Sequence, residues 1–287
     1  MKLPFVLARR FVAGETFEQA LPAVKKLNRQ GLHASVDLLG EYVHDRNIAL
    51  SARDAYMDLV RTIARERQRD GLDANISIKL SMLGQKIEAG FCVDNLRQLL
   101  EAAKNHDVFV RLDMEGSDIT ESTLSIFEAV YPQYPDHVGP VLQAYLHRTE
   151  QDVRRIIKLR ARVRLCKGAY KEPADIAYQD MSTIRARYID SMKLLLEHGR
   201  YPGIATHDDQ IIRAAKQFAA AEEIGRDRFE FQMLYGIRPR TQVQTAREGY
   251  NMRVYVPFGT QWVPYFSRRL RERKENVWFV LKNVLRG

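Results

Sequence analysis

Charged side chains recur at alternate positions inside runs that are otherwise apolar. Ala34-Ser35-Val36-Asp37-Leu38, Phe109-Val110-Arg111-Leu112-Asp113-Met114 and Phe229-Glu230-Phe231-Gln232-Met233-Leu234 share the pattern, as do Val163-Arg164-Leu165-Cys166 and Met252-Arg253-Val254-Tyr255-Val256. Successive side chains of a strand face opposite ways, so each run presents one apolar face and one polar face. The polar faces unite Asp37, Asp113 and Glu230 with Lys79, Arg111, Arg164 and Arg253. Buried charges are costly unless paired, so part of this set must form structural ion pairs, a reading that suffices for Asp37, Arg111, Glu230 and Arg253. The positive excess that remains matches an anionic ligand. Lys79, Asp113, Gln143, Arg164, His207 and Tyr255 fall at or near the C-terminal ends of their runs.

Strands with one apolar face need helices to cover it. β-type runs at 34–39, 76–83, 108–114, 138–145, 163–167, 203–207, 229–234 and 252–257 alternate with helical stretches at 51–68, 93–104, 117–130, 150–158, 184–197, 209–223, 240–248 and 264–273. Asp208 and Thr149 stand where helix caps belong, and Gly199 and Gly225 where helices end. Eight β-then-α alternations predict an α/β protein, a closed (β/α)₈ barrel of the TIM type. An open doubly wound sheet also alternates, but the G-x-G-x-x-G turn after the first strand is missing. The expected organisation is a helical arm over 1–30 and a barrel over 31–287. A purely structural barrel fills its centre with branched apolar side chains, and ligand sites lie at the C-terminal strand ends. The polar residues gathered there therefore form the candidate site.

The chain has 287 residues, 45% hydrophobic and 28% charged, with a net charge of +9. Its charge is dispersed, and the basic stretches from Arg61 to Arg69 and from Arg268 to Lys274 read as solvated helix faces. A nucleic-acid partner is not expected. No run approaches the roughly 20 apolar residues of a membrane span, and the start lacks the apolar stretch of a secretory signal. Cys92 and Cys166 are too few and too far apart for a disulfide framework. The seven histidines show no metal-binding spacing, so no metal is expected. These features fit a reducing, cytoplasmic setting.

The strand ends also carry a family resemblance. Arg111-Leu112-Asp113-Met114-Glu115, Val141-Leu142-Gln143-Ala144-Tyr145-Leu146, Arg164-Leu165-Cys166-Lys167-Gly168-Ala169-Tyr170, Ala205-Thr206-His207-Asp208, the stretch from Phe229 to Gly236, Tyr255-Val256-Pro257-Phe258-Gly259 and Arg268-Arg269 resemble proline dehydrogenase. The likeness runs in the family's order over about residues 33 to 273. It is to the single-function type, since no aldehyde dehydrogenase half follows.

The resemblance implies FAD held non-covalently over the barrel mouth and oxidation of L-proline to 1-pyrroline-5-carboxylate, with a quinone as electron acceptor. Carried across, Arg164 lies near the hydride-accepting nitrogen of the flavin. Asp113, Met114, Gln143 and the Lys167-Gly168-Ala169 turn line the flavin. Thr206 and His207 hold it further along, with Glu230 nearby. Lys79, Arg268 and Arg269 hold the substrate carboxylate, while Tyr255 and Leu234 pack on its ring. An arginine fork plus an ammonium suits a carboxylate. A 1-pyrroline-5-carboxylate dehydrogenase partner and peripheral contact with the inner face of a membrane are further expectations.

Each residue also has a plainer explanation. Arg268 and Arg269 on a helix form a solvated face, His207 a strand-end hydrogen bond, and Tyr255 and Leu234 barrel packing. A Schiff-base aldolase using Lys79 or Lys167 is the enzymatic alternative. An RNA- or membrane-binding surface is the non-enzymatic one.

Overall fold

The computed structural model describes residues 5–272. Eight parallel strands close into a barrel in chain order: β1 (His33–Leu38), β2 (Ala74–Ile78), β3 (Val110–Leu112), β4 (Val138–Gln143), β5 (Arg164–Cys166), β6 (Gly203–Ala205), β7 (Glu230–Leu234) and β8 (Asn251–Phe258). Helix α1 (Phe17–Arg29) precedes β1. After the successive strands come α2 (Arg46–Asp70), α3 (Ala89–Asn105), α4 (Thr120–Val130), α5 (Thr149–Leu159), α6 (Met181–His198), α7 (Asp209–Ala221), α8 (Pro239–Arg247) and α9 (Trp262–Glu272). The last residue of the expected 264–273 helix and Lys274 of the basic stretch lie outside the described residues, as do 1–4 and 275–287.

Local chemistry starts and stops these helices. Asp45 caps α2 by accepting from the amides of Asn47 and Ile48, and Gly71, left-handed at φ 69°, ends it. Asp208 caps α7 through the Gln210 amide. Thr149 is not a cap but the first residue of α5, and its hydroxyl donates to the Gln143 carbonyl, tying the helix to the end of β4. Helix α7 stops at Ala221 with Glu222 as its cap, short of Gly225, while Gly199 does follow α6.

The apolar faces lie where alternation puts them. Val36, Ile76, Ile78, Val110, Leu112, Leu165 and Val254 are buried beneath the helices in one continuous cluster, each worth about 1.5–3 kcal/mol relative to exposure. Ile204 joins that cluster, which turns Gly203 and Ala205 of β6 inward and resolves the one strand whose phase the pattern leaves open.

The run 76–83 is not one strand. β2 ends at Ile78, and Leu80–Leu83 forms a 3-10 turn closed by left-handed Gly84 at φ 93°. The apolar/polar alternation of Ile76, Ile78, Leu80 and Met82 with Ser77, Lys79 and Ser81 runs on through the turn, so periodicity does not mark where the strand ends. β4 ends at Gln143, yet the Ala144 and Tyr145 amides still donate to the Cys166 and Lys167 carbonyls.

Within the first 30 residues, α1 sinks Phe17, Ala20, Val24 and Leu27 into the main apolar cluster. The preceding segment packs Ala8, Phe11 and Val12 against Trp262, Tyr265 and Phe266 of α9. Gly236, at φ 74°, lets that segment cross: a Cβ there lies 1.7 Å from the Arg10 carbonyl oxygen.

Candidate active site

A cavity of about 600 Å³ opens at the C-terminal mouth of the barrel. Lys79, Asp113, Met114, Gln143, Arg164, Lys167, Gly168, Ala169, Thr206, His207, Leu234, Tyr255, Arg268 and Arg269 all line it. Glu230, expected beside the cofactor, is not in the wall. It lies two residues before Gln232 on the inward face of β7, roughly 7 Å deeper along the strand, and its carboxylate accepts from Arg253 Nε at 2.9 Å.

The floor of the cavity is a set of anchored charges. Arg164 Nη1 donates to Asp113 Oδ1 at 2.6 Å, and the Tyr255 hydroxyl donates to Asp113 Oδ2 at 2.7 Å. Asp113 thus holds one guanidinium nitrogen on one oxygen and a phenol on the other. Burial and the nearby Asp113 carboxylate push the Tyr255 phenol well above its usual range, so it remains a donor. The Arg164 guanidinium also lies 5.3 Å from the centroid of the Tyr255 ring, a cation–π contact.

Lys79 Nζ stands 3.1 Å from Asp37 Oδ1, with the pair buried. Burial alone would lower the ammonium, but Asp37 and then Asp113 hold it above the ordinary lysine range. On α9, Arg268 Nη2 pairs with Glu41 Oε1 at 2.5 Å, and buried Arg269 lies with its guanidinium carbon 5.2 Å from the Tyr265 ring centroid.

The far end has another cationic set. Lys167 Nζ and Arg185 Nε reach Asp208 Oδ2 at 2.7 and 2.9 Å, and burial of Asp208 is outweighed by these partners, which bring its carboxyl down to about 2. Gly168, at φ 119°, turns the chain against Tyr145, and a Cβ there lies 2.2 Å from the Tyr145 ring. His207 Nε2 accepts from the Leu234 amide at 3.0 Å, as the plainer explanation of that histidine requires. Gln143 Nε2 donates to the Glu115 carbonyl at 2.9 Å.

In all, five cationic side chains and two carboxylates line the cavity, beside apolar Val141, Tyr145, Ile184 and Met233. Among the described residues no group of His, Cys, Asp and Glu is placed to hold a metal ion, and no helix is long and apolar enough to cross a membrane.

Several wall residues carried little or no sequence signal. Met181 and Ile184 reach the cavity from the start of α6, brought there by an irregular loop whose path no periodicity encodes. Tyr265 lies three and four residues before the paired arginines, and that spacing on a helix puts side chains on one face. Gln232 was legible as inward-facing, but without a task.

These features define a class: a (β/α)₈ barrel with a cationic, cofactor-sized cavity at its C-terminal mouth. The sequence model of the proline dehydrogenase family matches residues 20–282. Proline dehydrogenase 1 of Bacillus subtilis (strain 168) is 43% identical over 279 residues, covering 97% of this chain and 91% of the relative. Proline dehydrogenase of Deinococcus radiodurans is 41% identical over 285 residues, covering 98% and 91%. Among solved structures, proline utilization A from Bdellovibrio bacteriovorus inactivated by N-propargylglycine aligns with a TM-score of 0.87 at 28% identity, over 93% of this chain and 32% of that one. The chain belongs to the proline dehydrogenase family.

Proposed function

We propose that the protein is an FAD-dependent proline dehydrogenase that takes hydride from C5 of L-proline, yields 1-pyrroline-5-carboxylate and passes the electrons to a quinone. The observation that carries this reading is the convergence of Lys79, Arg164, Arg268 and Arg269 around the Asp113–Tyr255 pair at one end of the cavity.

The lining suits a flavin. Apolar Met114, Val141, Tyr145 and Met233 offer a surface for a flat ring system, while Lys167 at the other end, sharing its Asp208 partner with Arg185 behind the wall, suits its phosphates. A cavity of about 600 Å³ falls within the range of small-molecule sites. When bound, the flavin supplies the two-electron acceptor.

This chain's residues supply orientation and electrostatics. Lys79, Arg268 and Arg269 bind the substrate carboxylate, and binding that remote group directs C5 without touching it. Leu234 and Tyr255 pack on the ring. Asp113 fixes the Tyr255 hydroxyl and the Arg164 guanidinium at once, and Arg164 stabilises charge where it develops. The cationic surroundings also favour the substrate amine in its neutral form, whose nitrogen lone pair assists loss of hydride from C5.

The buried ion pair with Asp37, 3.1 Å away, favours the cationic form of Lys79 over the lone-pair form that a Schiff base needs, which counts against the aldolase alternative's first nucleophile. Contact with a membrane carrying the quinone would fall on Val6 and Val263, both exposed, on the two segments that pack together at residues 5–12 and α9. Hand-over of product to a 1-pyrroline-5-carboxylate dehydrogenase accords with the Escherichia coli relative named Bifunctional protein PutA, 28% identical over 96% of this chain but only 24% of that protein.

The decisive test is the visible spectrum of the purified protein. An oxidised-flavin band that bleaches anaerobically with L-proline is the expected result. A colourless protein that is trapped by borohydride with a carbonyl compound would return the aldolase.

A further inference from the structure

The polar column of the barrel does not stop at the cavity floor. Arg164 Nε donates to Gln232 Oε1, and Gln232 Nε2 donates to Glu230 Oε1, each at 2.5 Å. Glu230 is held in turn by Arg253, whose Nε lies 2.9 and 3.0 Å from its two oxygens and whose Nη1 donates to the Ala34 carbonyl at 2.8 Å. All four side chains are buried.

The order of donors and acceptors leaves one arrangement. An arginine Nε–H only donates and an ionised carboxylate only accepts, so the amide between them must turn its oxygen to Arg164 and its nitrogen to Glu230. Flipping it would set donor against donor and acceptor against acceptor. Burial alone would raise the Glu230 carboxyl, but Arg253 brings it down to about 2, so it stays an acceptor.

The path also needs room. Gln232 crosses β6 at Gly203, where a Cβ would lie 2.4 Å from Gln232 Nε2 and 3.0 Å from its amide carbon. Gly203 is the register partner of both Arg164 and Glu230. Its missing side chain is the space through which the amide joins them.

We propose that Glu230 and Gly203 are positioning elements for hydride transfer: the Glu230 carboxylate orients the Gln232 amide, in the space left by Gly203, and the amide fixes the Arg164 guanidinium. The inference rests on the reading that Arg164 serves that transfer. It gives Glu230 a task away from the cofactor, two hydrogen bonds removed from Arg164.

Gly203→Ala tests it with the Glu230–Arg253 pair left intact. A crystal structure of the flavin-loaded variant should show the Gln232 amide displaced and its bond to Arg164 Nε broken. Stopped-flow flavin reduction by L-proline should slow by about tenfold to a hundredfold, the scale for a group misplaced by about an ångström. Binding of a carboxylate inhibitor, read from the flavin spectrum, should stay within about twofold, since Lys79, Arg268 and Arg269 are untouched.

Gln232→Ala should slow reduction comparably, and Gly203→Ala added to it should cost nothing more, as for two changes acting through one link. Glu230→Gln, which frees the amide to flip, should slow reduction in the same way and keeps the test alive if Gly203→Ala does not fold. Slow Arg164→Ala with wild-type reduction in Gly203→Ala and Glu230→Gln overturns the positioning role alone, as do fully multiplicative losses in the double variant. Wild-type reduction in folded, FAD-loaded Arg164→Ala overturns the reading of Arg164 itself, and this inference with it.

Discussion

Replacing Tyr255 by serine should change which substrate the protein accepts. The phenol is anchored twice, by its 2.7 Å hydrogen bond to Asp113 Oδ2 and by the Arg164 guanidinium 5.3 Å from its ring centroid. A ring so held cannot swing aside, so a hydroxyl added at C4 of the substrate meets a fixed wall. Added volume at a packed wall costs about 1–3 kcal/mol. At about 1.4 kcal/mol per tenfold, wild type should prefer L-proline to trans-4-hydroxy-L-proline by roughly one to two orders of magnitude in kcat/KM. Tyr255→Ser opens the wall and leaves a small hydroxyl, so that ratio should narrow by roughly tenfold, at some expense to proline itself. Tyr255→Phe keeps the wall and removes a hydrogen bond to a charged acceptor, worth about 1.5–3 kcal/mol. It should lower overall efficiency or stability while leaving the preference in place. Steady-state rates for both substrates in all three proteins, with one artificial acceptor, give the comparison. Equal use of the two substrates by wild type, or an unaltered ratio in Tyr255→Ser, would refute the assignment of Tyr255 as that wall.

Three further outcomes follow from the same geometry. Arg268→Met and Arg269→Met should each weaken a carboxylate inhibitor by about 2–5 kcal/mol, measured by titration against the flavin spectrum; wild-type affinity in both would make these arginines a structural pair of α9. Glu230 is depressed in the folded state to about 2, so its stabilisation is present above the ordinary glutamate range and is lost as pH falls from about 4.5 toward 2, a term on the order of 3 kcal/mol. Urea unfolding at about pH 5 and pH 3 should show that loss in wild type and a shallower one in Glu230→Gln, whereas equal slopes would count against it. Gly139→Ala should destabilise by about 1–3 kcal/mol or more, because its Cβ would lie 2.0 Å from the Arg162 carbonyl oxygen and 2.7 Å from Arg111 Nη1; an unchanged thermal midpoint would show that β4 relaxes freely there.

Alternation and helix punctuation, which act over a few residues, were enough to read eight strands, their helices and the inward polar face from the chain alone. A buried apolar face on one side of a strand leaves no freedom in what the other side presents, which is why Asp37, Asp113, Arg164, Gln232 and Tyr255 could be placed inside the barrel. The end of β2 was not legible, because Leu80, Met82 and Leu83 are as buried in a 3-10 turn as they would be in a strand. Pairing was not legible either. Arg164 had three inward carboxylates to choose from, and only the closing of the barrel joined it to Asp113 and left Glu230 to Arg253. That choice depends on the stagger between strands far apart in sequence, which no local pattern records. The same holds for Met181, Ile184 and Tyr265 in the cavity wall and for Glu41 beside Arg268. Residue types disclosed that a cationic site exists, but which charges face the cavity and which are spent on one another was decided by the distances that the closed sheet imposes.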